Sequence, residues 1–105
     1  MTGQRVEVWL DEDIGELIPG YLEHRKEDLL SITDALVKRD FESIQRIGHS
    51  MKGSGGGYGL RSISDIGRSL EESAALQDLE RIQICRYQLQ NYLQNLVVYI
   101  KPSER

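Results

Sequence analysis

Apolar residues recur every three or four positions along most of this chain, and charged residues fill the positions between them. This spacing places the apolar side chains on one face of a helix, as in amphipathic helices that pack into a bundle. It predicts four long helices, over residues 19–38, 41–58, 61–75 and 79–101. Asp40 and Asp78 precede the second and the fourth as N-caps. Because the connections are short, the predicted fold is all-α, an antiparallel up-and-down four-helix bundle with a short extra N-terminal helix.

The N-terminal part of the chain lacks the helical period. The stretch from Val6 to Leu10 alternates between apolar and polar positions, as a strand does, but the pattern predicts no second strand with which it could pair. We therefore expect residues 1–10 to form an extended N-terminal arm that packs across the helices. Asp11 is a suitable N-cap for the short extra helix, which is predicted over residues 11–17.

The predicted helix over residues 41–58 carries an unusual number of glycines. On a helical wheel, one band consists of Phe41, Ile44, Ile47, Gly48, Met51, Gly55 and Tyr58. The opposite band consists of Gln45, His49, Lys52, Gly53 and Gly56. His49 is thus expected to face solvent beside a cation, on a surface whose glycines leave room for a large molecule. Each glycine costs roughly 1 kcal/mol against alanine in a helix, so packing must hold this helix until it stops at Gly59.

Composition narrows the class of protein. A chain of 105 residues is predicted to form a single domain with one modest core. A net charge of −4 without a basic block argues against nucleic acid and against anionic membrane surfaces as partners. No apolar run suits a membrane span or a signal peptide. Cys85 is the only cysteine, so no disulfide can form within the chain, and we expect a cytoplasmic location.

The stretch from His49 to Gly53 reads His-Ser-Met-Lys-Gly, and Gly59 follows ten residues after the histidine. It resembles the His-x-x-Lys-Gly signature of histidine-containing phosphotransfer (Hpt) domains, the helical bundles of multistep two-component phosphorelays. The order of the predicted helices is similar to that family as well. The three consecutive glycines after Ser54 depart from the family pattern and put the rigidity of the helix in question.

The resemblance implies a role for several residues. His49 would be phosphorylated, Lys52 would lie close to the phosphoryl group, and Gly53 would clear room for the partner. Glu71 stands twenty-two residues after the histidine, where family members often carry a Glu or Gln that faces the imidazole from the next helix. Arg68 would be a polar neighbour one turn before Glu71. The surface on which the partner docks would consist of Gln45, Gly53, Gly56 and Arg68.

Elementary chemistry agrees with these roles. An exposed imidazole is mostly neutral near pH 7, as a nucleophile must be, and Glu71 can fix its tautomer by accepting a hydrogen bond. Lys52 can offset the charge of a phosphoryl group. The chain has no carboxylate cluster near His49 suited to Mg²⁺. We therefore expect no cofactor of its own, and expect Mg²⁺ and the aspartate that exchanges the phosphoryl group in a partner receiver domain.

The function predicted is that of a monomeric phosphocarrier between response-regulator receiver domains and a sensor histidine kinase, either of the plain type or of the hybrid type that carries its own receiver. Autonomous kinase activity is not expected, because no ATP-binding segment is recognisable. The alternative is a non-catalytic bundle that docks on a receiver domain or a kinase and regulates it.

Each feature also has an ordinary explanation. A surface histidine, a lysine and a glutamate are usually only solvated, as His24 is expected to be. Two distant histidines and one cysteine supply no zinc-ligand spacing, and the glycine run does not match a nucleotide-binding loop.

Overall fold

The computed structural model describes residues 5–102, and most of them are helical. The α-helices are Glu12–Gly15 (α1), Ile18–Val37 (α2), Phe41–Ser54 (α3), Arg61–Ala75 (α4) and Leu79–Asn95 (α5). One 3-10 turn, Gly56–Tyr58, lies between α3 and α4, and two strands are present, Val6–Asp11 (β1) and Leu96–Lys101 (β2). Within this part of the chain, α2 packs against α3 and α5, and α4 packs against α3 and α5. The antiparallel up-and-down order of the four long helices stays a prediction.

The helix boundaries follow local signals that the sequence carries. Asp40 accepts a hydrogen bond from the backbone N–H of Ser43 at 3.1 Å, and Asp78 accepts one from Arg81 at 3.2 Å. These bonds satisfy amide groups that have no partner in the first turn of a helix. They also explain why α3 and α5 begin where the sequence predicts. The bounds of α4 match the prediction, those of α2 differ by one residue at each end, and α1 is shorter than predicted.

The all-α prediction is wrong in one respect, because β1 and β2 pair as a two-stranded parallel sheet. The register runs from Val6 opposite Leu96 to Asp11 opposite Lys101. The predicted arm over residues 1–10 is a paired strand from Val6 onward, and residues 1–4 lie outside the described part.

The last helix was predicted over residues 79–101 and ends at Asn95 instead. Leu96 and Ile100 continue the four-residue spacing of the helix, which is why the period predicts helix there. The segment between them is rich in β-branched and aromatic residues, which favour a strand once a second strand is available. Because the period predicts helix over this segment, the sequence pattern also predicts no second strand to pair with β1.

The buried core lies between the long helices and extends under the sheet. The largest fully buried hydrophobic side chains are Ile32, Ile44, Met51, Leu60, Ile63, Leu70, Ile82 and Leu89. Leu10 of β1 is also buried, and a Cβ at Gly59 would lie 2.5 Å from its Cδ2 atom. The sheet therefore packs against the turn that follows α3. No helix among residues 5–102 has the length and apolar character needed to cross a membrane.

The glycine-rich segment does not continue α3 to residue 58 as predicted. The helix ends at Ser54, and the chain then forms the 3-10 turn before Gly59, which has a φ of 77°. Gly59 takes the left-handed conformation expected of a helix stop, which suits glycine, but it ends the 3-10 turn and not α3. Glycine lacks the helix propensity to hold the last turn in the α-form, which accounts for the earlier end.

Candidate functional site

His49 lies on the solvent side of α3, with 70% of its side chain exposed. The apolar band of this helix turns Ile44, Gly48 and Met51 into the core. Because the two bands are on opposite sides of one helix, burial of the first band places the histidine outside. The predicted exposure of His49 is thus a consequence of helical phase.

The carboxylate of Glu71, on α4, contacts both His49 and Lys52 of α3. Oε2 of Glu71 lies 3.0 Å from Nδ1 of His49, and Oε1 lies 2.8 Å from Nζ of Lys52. The hydrogen bond from Lys52, followed by the one from His49, lowers the pKa of the Glu71 carboxyl below its ordinary value. Glu71 is therefore an ionised acceptor for both groups at neutral pH.

The contact with Glu71 decides which ring nitrogen of His49 is available. A neutral imidazole carries one proton, and an ionised carboxylate can only accept a hydrogen bond. Nδ1 therefore holds the proton and donates it to Glu71, so Nε2 keeps its lone pair. The arrangement provides a nucleophilic nitrogen on an exposed ring with an ammonium group beside it.

The surface next to His49 is open where the sequence predicts it. A Cβ added at Gly53 would meet no atom of the described residues within 4 Å, and one at Gly56 would meet only the hydroxyl of Ser64, at 3.7 Å. Gln45 is exposed and lines a groove beside the histidine. All three residues are accessible to a large partner.

The groove also contains residues that the sequence analysis did not single out. It is lined by Glu42, Gln45, Arg46, His49 and Glu71. Arg46 stands three positions before His49, a spacing that places two residues on one helix face. This spacing was the signal that could have identified it.

The structure does not bring Arg68 to the imidazole. Its guanidinium Nη1 lies 3.6 Å from Oδ1 of Asp65 on the same helix, and its side chain is exposed. Arg68 remains on the surface of α4, one turn from Glu71. His24 is also on the surface, 3.5 Å from Glu27, in agreement with the expectation of a solvated residue.

Ser64 of α4 holds the end of α3 beside the site, although no local pattern around this serine indicates such a role. Its Oγ accepts a hydrogen bond from the N–H of Gly56 at 2.8 Å and donates one to the carbonyl of Lys52 at 3.0 Å. A Cβ at Gly55 would lie 2.6 Å from the backbone N of Ser64, so only glycine permits this approach. The hydroxyl thus supplies bonds that the interrupted helix lacks.

A second anchor reaches the end of α3 from α2. The hydroxyl groups of Tyr21 and Ser54 lie 2.7 Å apart, and Nη1 of Arg25 donates to Ser54 at 3.3 Å. The ring of Tyr21 also stacks on Tyr58, with centroids 4.1 Å apart. These contacts hold the glycine-rich turn in place despite its weak helix propensity.

The described residues include no group of three or more His, Cys, Asp or Glu side chains arranged to hold a metal ion. The chemistry that the site itself offers is that of an oriented imidazole, a carboxylate and an ammonium group.

Comparison with known proteins identifies the family. The model of the Hpt domain family matches residues 16–98, which is more than three quarters of the chain and includes His49, Lys52 and Glu71. Comparisons with curated proteins and with solved structures gave no match. Hpt domains take part in histidine phosphotransfer in phosphorelays. The extent of the match, over a helical protein with an exposed histidine, establishes that this chain belongs to the Hpt domain family.

Proposed function

We propose that this protein carries a phosphoryl group on His49 between the aspartates of receiver domains in a multistep two-component phosphorelay. The observation that carries the proposal is the contact of one carboxylate, Glu71, with Nδ1 of an exposed His49 and Nζ of Lys52. It leaves Nε2 as the nucleophile and keeps a positive charge close to the place where the phosphoryl group would be bound.

The transfer step follows from this geometry. Nε2 of His49 attacks the phosphorus of an aspartyl phosphate on the donor receiver, so that an N–P bond forms as the P–O bond to the aspartate breaks. The ring then carries a positive charge with the proton still on Nδ1, and the carboxylate of Glu71 stabilises it. When His49 passes the phosphoryl group on, an aspartate carboxylate of the acceptor receiver attacks the phosphorus, the N–P bond breaks and the neutral imidazole leaves.

Lys52 would offset part of the charge of the bound phosphoryl group, which is close to two negative charges. Its ammonium group is only partly exposed and is already held at Glu71. A phosphoryl group on His49 would therefore find the cation next to it without a large rearrangement of the chain. We place the Mg²⁺ that phosphoryl transfer uses in the receiver partner, with no cofactor belonging to this chain.

The docking surface for the receiver would consist of the exposed residues around His49, with Gln45, Gly53 and Gly56 on the side of α3 and the turn, and Arg68 on α4. Such an interface would be small and transient, in keeping with a carrier that must leave each partner. The partners are response-regulator receiver domains and a sensor histidine kinase. We further propose that the four long helices form an antiparallel bundle and that the protein is a monomer located in the cytoplasm. We expect it to have no kinase activity of its own.

The test is incubation with a phosphorylated receiver domain and Mg²⁺. We expect a label on this chain that is labile in acid and stable in base, as a phosphoramidate is, and no label on a His49→Gln variant. Label on that variant would refute the site. A wild-type protein that binds the receiver but takes no label would instead support the alternative, a non-catalytic docking domain.

A further inference from the structure

The α3 and α4 helices meet at two buried glycines, Gly48 and Gly67. A Cβ at Gly48 would lie 2.6 Å from the backbone N of Glu71 and 2.8 Å from the carbonyl O of Gly67. A Cβ at Gly67 would lie 2.5 Å from the backbone N of Lys52 and 2.7 Å from the carbonyl O of Gly48. Most helix pairs are separated by side chains, with axes roughly 8–10 Å apart. At Gly48 and Gly67, by contrast, the backbones of α3 and α4 are in direct contact.

The residues across this contact are those of the site. Gly48 directly precedes His49 and faces the backbone of Glu71, whereas Gly67 lies one turn before Glu71 and faces the backbone of Lys52. The distance between the two backbones is therefore fixed at the residues whose side chains interact.

The reach of the glutamate makes this distance critical. Both oxygens of Glu71 are at hydrogen-bond distance from their partners, 3.0 Å for His49 and 2.8 Å for Lys52. Hydrogen bonds of this kind ordinarily span donor–acceptor distances of about 2.7–3.2 Å. The atoms that a new Cβ would meet are mainly backbone atoms, which cannot rotate out of the way. A side chain at either glycine must therefore move α4, with Glu71, relative to α3.

We infer that Gly48 and Gly67 are positioning residues, which bring α4 close enough for one carboxylate to hold both His49 and Lys52. Their importance for phosphotransfer rests on the proposed function, but the positioning itself can be measured without a partner. The two glycines act through Glu71 and touch no substrate.

The experiment compares Gly67→Ala and Gly48→Ala with Gly20→Ala, a matched control. Gly20 lies on α2, where an added Cβ meets no described atom within 4 Å. The ¹⁵N NMR shifts of the His49 ring report the tautomer, and the ¹³C shift of the Glu71 carboxyl reports its titration. We expect the wild type and the control to keep the proton on Nδ1. In the two test variants the ring should move toward a mixture of tautomers, and the pKa of Glu71 should rise toward its ordinary value.

A purely structural role would lower the melting temperature of the two variants and leave the tautomer and the titration of Glu71 unchanged, and this result would overturn the inference. Should neither variant fold, Glu71→Asp tests the same distance from the other side, since it shortens the side chain by one methylene with both glycines intact. Retention of the Nδ1 proton in Glu71→Asp would then overturn it.

The same proteins can be tested for phosphorylation. A displacement of about 1 Å at a reacting group can slow a reaction on the order of 10²-fold, so we expect transfer from a phosphorylated receiver to fall by roughly 10- to 100-fold in the test variants. If wild-type His49 takes no phosphate, the proposed function fails, and the NMR result still decides the positioning role.

Discussion

The α3–α4 pair and the β1–β2 pair are both contacts between backbones, but they place their side chains differently. In the helix pair, the backbones meet at Gly48 and Gly67, and the functional side chains project beside the contact. In the strand pair, the backbones join the two ends of the described chain, and Trp9 stacks on Tyr99 with ring centroids 4.6 Å apart. The contact between the helices sets hydrogen-bond distances in the site that matter to within tenths of an ångström. The contact between the strands joins the N-terminal and C-terminal segments of the fold.

This difference implies that changes in the helix pair should affect stability and transfer, whereas changes in the sheet should affect stability alone. We expect four effects on the two sides of this division, which range from a large loss of stability to a small pH dependence.

Met51 is fully buried on the inner face of α3, below the site. Met51→Ala should lower the free energy of unfolding by about 2–5 kcal/mol, since it removes buried contacts and leaves a cavity. Urea denaturation measures the change. Leu30→Ala is the control, because Leu30 is 74% exposed and its truncation should change stability by less than about 0.5 kcal/mol. Equal effects for the two variants would contradict the assignment of the core.

Gly53→Trp should slow transfer from a phosphorylated receiver on the order of tenfold, the effect of about 1.4 kcal/mol of lost binding. The glycine is exposed and has open space around it, so the indole would obstruct the partner without disturbing the core. The initial rate of label transfer measures the effect, and Gly20→Trp controls for the bulk of the indole. An unchanged rate in Gly53→Trp would refute its role in docking.

Tyr99→Ala removes one ring of the Trp9 stack in the sheet. We expect the free energy of unfolding to fall by about 0.5–1.5 kcal/mol, with no change in transfer rate. The emission of Trp9, the only tryptophan, should shift to longer wavelength as its ring becomes more exposed. Tyr87→Ala, at an exposed tyrosine of α5, should leave the emission unchanged. A slower transfer in Tyr99→Ala would contradict the division between sheet and site.

The smallest effect concerns the pH dependence of stability. The pKa of Glu71 is lowered in the folded protein, so its contacts contribute stability above the pKa of the unfolded chain. This contribution is lost as the pH falls through the folded pKa. The wild type should therefore melt higher than Glu71→Gln at neutral pH, and the difference should vanish in acid. A difference that persists below the folded pKa of Glu71 would show that the carboxylate is not held by Lys52 and His49.

Helical phase made much of the site predictable. The positions of Ile44 and Met51 place His49 outside, and the spacing of Lys52 and Glu71 from it correctly indicates side chains that meet. These relations are local, or follow from the packing of two consecutive helices. The bounds of α4 and the left-handed conformation of Gly59 were predictable for the same reason.

The remaining features depend on contacts between distant segments. The period alone cannot separate helix from strand after Asn95, because Leu96 and Ile100 fit both, and only pairing with β1 decides. Ser64 is an ordinary helical serine in the sequence, and its bonds to Lys52 and Gly56 require the close approach that Gly55 allows. The approach of Gly48 to Gly67 is equally invisible to a one-dimensional pattern.

The most direct test of the account is to locate the phosphate after transfer from a phosphorylated receiver domain. ³¹P and ¹⁵N NMR of the labelled protein distinguish the two ring nitrogens of His49. Because Nδ1 donates to Glu71 at 3.0 Å, we predict a single phosphoramidate at Nε2. Phosphate on Nδ1, or on any residue other than His49, would contradict it.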